Sequence, residues 1–468
     1  MRVAFITDYF HKSHFGREPL GILYLVAVLR QYGVDVDLFE ISRLKKEFGD
    51  LKKFAPDIIA YSIKTGYHRK FLDLNSRLKE DLDFVSLFGG PHATFYPEII
   101  QKEGVDVVCR GEGEKAVVSL SNNIKGNYLG TENCWIKKDG KIYKNDIGSL
   151  IEDLDQLPFP DRTVFSKYPL FKKFRMRNFL AGRGCPYNCT YCYNSAFRKL
   201  CKGKGQYVRV RSVENLVSEI EEEATKNRLN FINFEDDIFV QNKKWLGEFA
   251  KVYSKTIKLP FHCHIKVDMI DEEAIRLLKK AGCFSVSMGV ETADADLREK
   301  ILNRRMSNEL IIKVCNLLKK NGINIALQNM LGIPGTNLKD DINTLKLNIK
   351  AGADYSITSM CTPYPGTKMV ELYPFDDWDS LGDYYDKSFY PIEKRRQREN
   401  LQRIFSVVVK FSFLLKLVPV IIKLPFSKLY KFLGIFWKYL WGRNKIFPTG
   451  LGIKYNLIYI KRYILGMR

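Results

Sequence analysis

Three cysteines, Cys185, Cys189 and Cys192, lie four and then three residues apart in the run Cys-Pro-Tyr-Asn-Cys-Thr-Tyr-Cys. Thiolates so spaced sit on one tight loop and can hold three corners of a [4Fe–4S] cluster. The fourth iron then has no protein ligand nearby and stays open to a substrate or cofactor. A zinc site is the rival metal reading. It needs a fourth Cys or His, and the nearest candidate is Cys201. Three unrelated buried thiols are the plain alternative, disfavoured by the tight spacing and the Gly-rich, polar flanks. The other seven cysteines repeat neither a CxxC nor a CxxxCxxC spacing. One cluster is therefore expected, with Cys263, Cys283 and Cys315 as core thiols.

The elements around this loop alternate between strand and helix. From about Asn178 to Pro363, apolar runs begin near Phe179, Phe231, Phe261, Phe284, Asn324 and Tyr355, with helical stripes between them. Ala274, Ile275, Leu277, Leu278 and Ala281 make one such stripe behind Asp271, a plausible N-cap. Six units of this kind predict a partial (β/α)6 barrel of parallel strands, with chemistry at the C-terminal strand ends. Polar residues fall at those ends: Glu235, Asp236 and Asp237, then Glu291, then the turn Gly332-Ile-Pro334-Gly-Thr. Each carboxylate could equally cap the following helix. His262 and His264 share one face of a strand, and a packed, hydrogen-bonded pair is favoured over a proton shuttle.

Residues 1–130 show the same alternation, predicting a doubly wound parallel sheet with its ligand edge at the C-terminal strand ends. The turns there carry Ser62, Thr65, Gly89, Gly90, Gly111 and Glu112. His11, His14, His68 and His92 read as turn hydrogen-bonders. Residues 131–170 form a linker containing a hairpin turn at Lys-Lys-Asp-Gly-Lys and a proline-punctuated connector, with the domain boundary within Ile151–Tyr168. The barrel occupies 171–385 and a helical basic tail 386–468.

These motifs together resemble the radical S-adenosylmethionine (SAM) superfamily, whose signature is CxxxCxΦC, with Tyr191 here at the aromatic position. The resemblance extends to the cobalamin-linked subgroup. Its carriers are Gly-Gly-Pro-His-Ala-Thr-Phe-Tyr-Pro-Glu in the first domain, the Leu-Pro-Phe-Pro-Asp-Arg bridge, and Gly-Val-Glu-Thr, Gly-Ile-Pro-Gly-Thr and Pro-Tyr-Pro-Gly-Thr in order through the barrel. It implies a [4Fe–4S] cluster on the three cysteines, whose open iron chelates SAM, and one-electron cleavage to a 5′-deoxyadenosyl radical. It implies SAM contacts from Tyr191, Glu235, Asp236, Glu291, Gly332 and Pro334, although the usual Gly-Gly-Glu is replaced by Phe-Glu-Asp-Asp. It implies cobalamin over Ser62, Thr65, Gly89, Gly90, Gly111 and Glu112. The cobalt-coordinating DxHxxG motif is absent, so cobalamin would bind without a His ligand; a scaffold role without cobalamin is the alternative. The expected reaction modifies an unactivated carbon, with methylation first, and oxidative cyclisation or carbon–carbon coupling second. A flavodoxin or ferredoxin would supply the electron. A non-catalytic cobalamin or redox sensor need not keep the barrel motifs.

Bulk properties narrow the partners. The 468 residues carry a net charge of +22, from 75 basic and 53 acidic side chains, which implies an anionic partner. No acidic residue follows Glu399, while lysines continue among Phe, Leu, Ile, Val, Trp and Tyr. No uncharged apolar run approaches the ~18 residues of a spanning helix. The tail reads as an amphipathic anchor on anionic lipid, broken at Pro419 and Pro425, and the substrate as lipid-like or amphiphilic. A helix pair packed on the barrel is the alternative. Nucleic acid, as in tRNA-modifying relatives, is disfavoured because the tail is rich in Leu, Ile and Val and the first domain has only Cys109 for a further cluster. An N-terminus that reads as a strand, reduced thiols and an oxygen-sensitive cluster together predict a cytoplasmic protein at the inner membrane face.

Overall fold

The computed structural model describes residues 1–8, 18–240, 242–381 and 387–448. His11, His14 and Gly16, and the basic residues Lys454, Lys461, Arg462 and Arg468, lie outside them. The chain divides into two compact units.

The first unit comprises 1–173 with the segments 191–210 and 364–382. Five parallel strands form its core: β1 (Arg2–Thr7), β2 (Asp35–Glu40), β3 (Ile58–Ser62), β4 (Val85–Gly89) and β5 (Val107–Cys109). Their order is β2-β1-β3-β4-β5. The chain direction across the sheet therefore reverses between β1 and β3, and the ligand crevice of such a sheet lies at the carboxyl ends of that pair. The inner strands, buried on both faces, are mostly apolar, as in Ile58, Ile59, Ala60 and Tyr61, whereas edge strand β2 carries Asp35, Asp37 and Glu40. Helix Leu20–Gln31 starts after Pro19, whose missing N–H costs nothing there. The linker stretch adds β6 (Cys134–Lys138), antiparallel to β5, and β7 (Lys141–Lys144), antiparallel to β6. Asp139 and Gly140 turn that hairpin with positive φ angles of 50° and 73°.

The second unit holds six parallel strands in chain order across the sheet: β8 (Met176–Phe179), β9 (Phe231–Phe234), β10 (Phe261–Ile265), β11 (Cys283–Glu291), β12 (Asn324–Leu331) and β13 (Tyr355–Met360). Sequential order is what repeated strand–helix units give when each crossover has the same hand, and it builds a partial barrel. The helices begin where side-chain acceptors stand: Ser212, Asn242, Asp271, Ser307 and Asn337 each accept a backbone N–H of the first turn. Phe234, Phe239, Phe249, Tyr253 and Phe261 pack edge to face between strands and helices.

The tail is broken before Ser427, at Pro425, as expected, but Pro419 stands in the first turn of Val418–Ile421 and the other break falls at Phe411. Helix Arg395–Lys410 is followed by a 3-10 stretch Ser412–Leu417, the turn Val418–Ile421 and helix Ser427–Trp437. Its lysines therefore do not share one continuous face. Leu401, Ile404, Phe405, Val408, Val418, Ile422 and Tyr430 join Leu331 and Met360 in one core. The last described turn reaches the start of the barrel strands: Ser285 Oγ donates to Ile446 O at 2.6 Å, and Gly442 lies against the Tyr355 ring.

Candidate active site

In the second unit, the stretch after β8 carries Cys185 and Cys189. Asp236, just past β9, braces its start: the carboxylate accepts the Ala181 N–H at 3.0 Å and the Gly182 N–H at 2.7 Å. Asp236 is buried, and burial pushes its carboxyl up to about 7 against the lowering effect of those two donors. The sequence places Asp236 at SAM; the structure gives both its oxygens to backbone. Gly184 turns the chain with φ 88°. Burial pushes the Cys185 thiol up to about 11; a bound cation favours the thiolate that a metal ligand must be.

Cys189 meets a residue the sequence did not single out. Arg304 Nη1 donates to Cys189 Sγ at 3.7 Å, Nη2 donates to Gly289 O at 2.6 Å, and Nη1 lies 3.9 Å from Glu291 Oε1. The only sequence signal was the pair Arg304-Arg305, twelve residues beyond Thr292 of the Gly-Val-Glu-Thr motif, easily taken for surface charge. Thr190 Oγ1 donates to Ile301 O at 2.6 Å, and Asn303 Nδ2 to Asn188 O at 2.9 Å. The cysteine loop and the loop after β11 are thus stitched together. Lys266, beyond β10, lies 3.7 Å from the Tyr187 ring centroid and is ion-paired to Asp268.

Glu291 is the strained residue of the site. It takes φ 68°, the left-handed region, although it is not glycine. The β11–β12 register shifts between Gly289 and Glu291, so a bulge and a reversed backbone together re-aim this carboxylate. A Cβ at Gly289 would collide with Glu291 Oε1 as it stands, so a side chain there would displace this carboxylate. Glu235 accepts from Asn233 Nδ2 at 2.5 Å. Gly332 takes φ 68°, and a Cβ there would meet Met360 Cε at 2.6 Å. Its turn, with Pro334 buried, is clamped by Arg398. That guanidinium donates to Asp341 at 2.6 and 3.1 Å and to Thr336 O and Oγ1 at 2.7 and 2.6 Å. Asp341 in turn accepts the Gly332 N–H at 3.3 Å.

A row of polar side chains crosses the sheet below these ends. Asn233 donates to Asn178 at 3.0 Å, and His262 is hydrogen-bonded to Ser285 at 2.8 Å and Ser287 at 3.1 Å. His262 is fully buried, which is the packed arrangement the sequence favoured. Its partners are serines rather than His264, whose ring stands 5.4 Å away.

In the first unit, half-buried Tyr191 precedes Cys192, which occupies the N-cap position of helix Tyr193–Leu200. The helix dipole there favours a negatively charged sulfur. Asn194 Nδ2 donates to it at 3.8 Å. Cys201, the fourth ligand a zinc site would need, ends the same helix, buried with Ile147 and Leu150. Among the described residues, no three His, Cys, Asp or Glu converge as a single-ion site requires. The three cysteines are free, and it is their spacing on one short stretch that matches a [4Fe–4S] loop.

The sheet edge of the first unit divides its candidate residues. Ser62 is exposed, and Gly89, Gly90 and Gly111 are half-buried. Gly90 has φ 91°, and a Cβ would stand 2.8 Å from Ile63 O and 2.9 Å from Ile63 N, so the close turn requires glycine. These residues fit an edge where a planar ligand approaches backbone. Thr65 faces inward, hydrogen-bonded to His92 Nδ1 at 3.0 Å. His92 stacks on His68 at 3.9 Å, and both rings are fully buried. Burial, then the neighbouring His68, lowers the His92 pKa to about 3. Neither imidazole is available to a metal, and cobalamin here would have no ligand from either. Glu112 is tied to Arg209 at 2.8 Å and accepts the Ile151 N–H at 2.9 Å, so it braces the turn.

Comparison with known proteins agrees with both halves. The Radical SAM superfamily matches residues 179–347, and the B12 binding domain matches residues 7–121. An uncharacterized methyltransferase of Pyrococcus horikoshii is 28% identical over 367 residues, covering 75% of this chain and 78% of the relative. The anaerobic magnesium-protoporphyrin IX monomethyl ester cyclase of Rubrivivax gelatinosus is 26% identical over 415 residues, covering 81% and 72%. Among solved structures, the cobalamin-dependent radical enzyme OxsB matches with TM-score 0.67 at 16% identity, over 95% of this chain and 73% of that one. The radical SAM methyltransferase TsrM of Kitasatospora setae matches with TM-score 0.64 at 16% identity, over 79% and 75%. At such identities the structural likeness concerns the fold.

Proposed function

Since this chain is a radical SAM enzyme with a B12-binding domain, we propose that it transfers a methyl group to an unactivated carbon of an amphiphilic, lipid-like substrate. The observation that carries this reading is the presence, in one chain, of the three-cysteine barrel and a cobalamin-type sheet edge whose described histidines, His68 and His92, are fully buried. When bound, the cluster and SAM supply a 5′-deoxyadenosyl radical, and cobalamin a methyl group. This chain's residues do the positioning. Cys185, Cys189 and Cys192 hold the cluster. Arg304 fixes the loop of Cys189 through Gly289 O and favours negative charge at its sulfur. Glu291, turned by the bulge, accepts hydroxyl or ammonium donors of SAM, and the Gly332–Pro334 turn passes along its adenine. The glycine turns at 89–90 and 111 admit the corrin. Methyltransferases stand among the relatives, such as the bacteriochlorophyllide d C-8(2)-methyltransferase of Chlorobaculum tepidum. The electron comes from a flavodoxin or ferredoxin, and the enzyme works in the cytoplasm.

The test uses protein reconstituted without oxygen with iron, sulfide and hydroxocobalamin, and SAM carrying a deuterated methyl group. Expected are about four irons with bound cobalt, iron loss in Cys189→Ala, 5′-deoxyadenosine release, and label in an apolar product from a lipid extract. Deoxyadenosine formed with substrate consumed but no label incorporated would overturn methyl transfer. It would favour ring closure, the second reading, which the cyclase relative of Rubrivivax gelatinosus supports.

A further inference from the structure

Helix Ser427–Trp437 has two apolar faces and only one of them is covered. Tyr430 and Gly434 face the helix Arg395–Lys410: Tyr430 is buried in the shared core, and a Cβ at Gly434 would stand 2.2 Å from Arg403 O. That close approach fixes the helix rotation. It leaves Leu429, Phe432, Leu433 and Phe436 outward, at i, i+3, i+4 and i+7, a stripe about 100° wide. The preceding turns add exposed apolar side chains of their own. Phe413 is 72% exposed, Leu417 52% and Val420 61%, although Val418 and Ile422 beside them are fully buried. Packing on the barrel therefore does not account for the outward set. Large exposed apolar side chains gathered in one stretch mark an interaction surface.

The charge around that face says what covers it. Lys416, Lys423, Lys428 and Lys438 are exposed among the apolar side chains, and residues 400–468 contain no acidic side chain. A protein partner or a second copy of this stretch would set lysine against lysine unless it brought compensating acids. A layer with an apolar interior and anionic headgroups meets both features at once. No described helix is long and apolar enough to cross a membrane. We propose that the face formed by Phe413, Leu417, Val420, Leu429, Leu433 and Phe436 inserts at the surface of an anionic lipid bilayer, with the lysines on the headgroups. This docking does not depend on the methyl-transfer reading. The last described turn of the tail touches the N-terminal end of the barrel strands, through Ile446 on Ser285.

The experiment is co-sedimentation of the full-length, cluster-loaded protein with vesicles of phosphatidylcholine alone, or mixed with phosphatidylglycerol. Binding is expected to the mixed vesicles and to fall with salt. Each lysine charge removed weakens such binding about fivefold, so Lys423→Gln with Lys428→Gln should lower it about 25-fold. Phe413→Ser with Val420→Ser and Leu429→Ser should abolish binding with the melting temperature and iron content unchanged. Should that triple variant fail to fold, the lysine pair and the salt series still decide. Equal binding to both vesicles, or none, overturns the proposal. So does a wild-type dimer in sedimentation equilibrium that the serine variant dissociates.

Discussion

Arg398 offers the sharpest test of how the barrel holds the turn at Gly332. It lies in the tail helix, is fully buried, and makes four hydrogen bonds to Asp341 and Thr336 across that turn. In Arg398→Met the volume is nearly kept, but the Asp341 carboxylate stays buried without its cation. Breaking a buried pair this way costs about 3–5 kcal/mol, or about 6–20 °C in the melting temperature of a 150–250-residue domain. The loss should depend on pH in a definite direction. Burial already raises the Asp341 pKa even beside Arg398, and removing the cation raises it further. A carboxyl whose folded pKa exceeds its unfolded value near ~3.9 takes up a proton on folding. Its contribution is fully present below that unfolded value and is lost as pH rises towards the folded one. Arg398→Met should therefore be least impaired at pH 5 and progressively worse towards pH 8. Arg398→Met with Asp341→Asn should recover most of the loss and flatten the pH dependence. The assay is thermal unfolding by circular dichroism across that range. A single variant within about 2 °C of wild type at pH 7, or a double variant no better than the single, would refute the clamp.

Three further outcomes follow from the same geometry. Asp236→Asn should flatten the pH dependence of stability between about 4 and 7, because the wild-type carboxyl, raised to about 7 by burial, contributes stability that disappears as pH rises through that value; melting curves over that range check it. Gly90→Ala should cost about 2–4 kcal/mol, since the new methyl meets backbone atoms of Ile63 that cannot give way, and should release cobalamin; unfolding and cobalt analysis read both. Arg304→Met should keep its iron yet slow reductive SAM cleavage about ten- to hundredfold, the worth of one charge-assisted hydrogen bond; unchanged cleavage would remove Arg304 from the site.

What the sequence alone determined is whatever local pattern controls. The cysteine spacing is covalent, so the cluster loop was legible without a fold. Parallel strands buried on both faces write themselves as apolar runs, so the first sheet and all the barrel strands from Phe231 onward were readable, and Asp271 capped its helix as its position implied. The hairpin at Asp139-Gly140 followed from turn chemistry. Tertiary structure decided what depends on residues far apart in the chain. Asp236 reads as a ligand-facing carboxylate until its two oxygens meet the backbone of residues 55 and 54 positions away. Glu112 does the same until Arg209 arrives. Arg304 and Arg398 carry no local signature, since an arginine in a charged run looks like surface until the fold buries it against Cys189 or Asp341. The tail shows the division most plainly. Its alternation of lysine and bulky apolar residues is written in the sequence, but packing on the helix Arg395–Lys410 alone decides which apolar side chains are core and which remain outside.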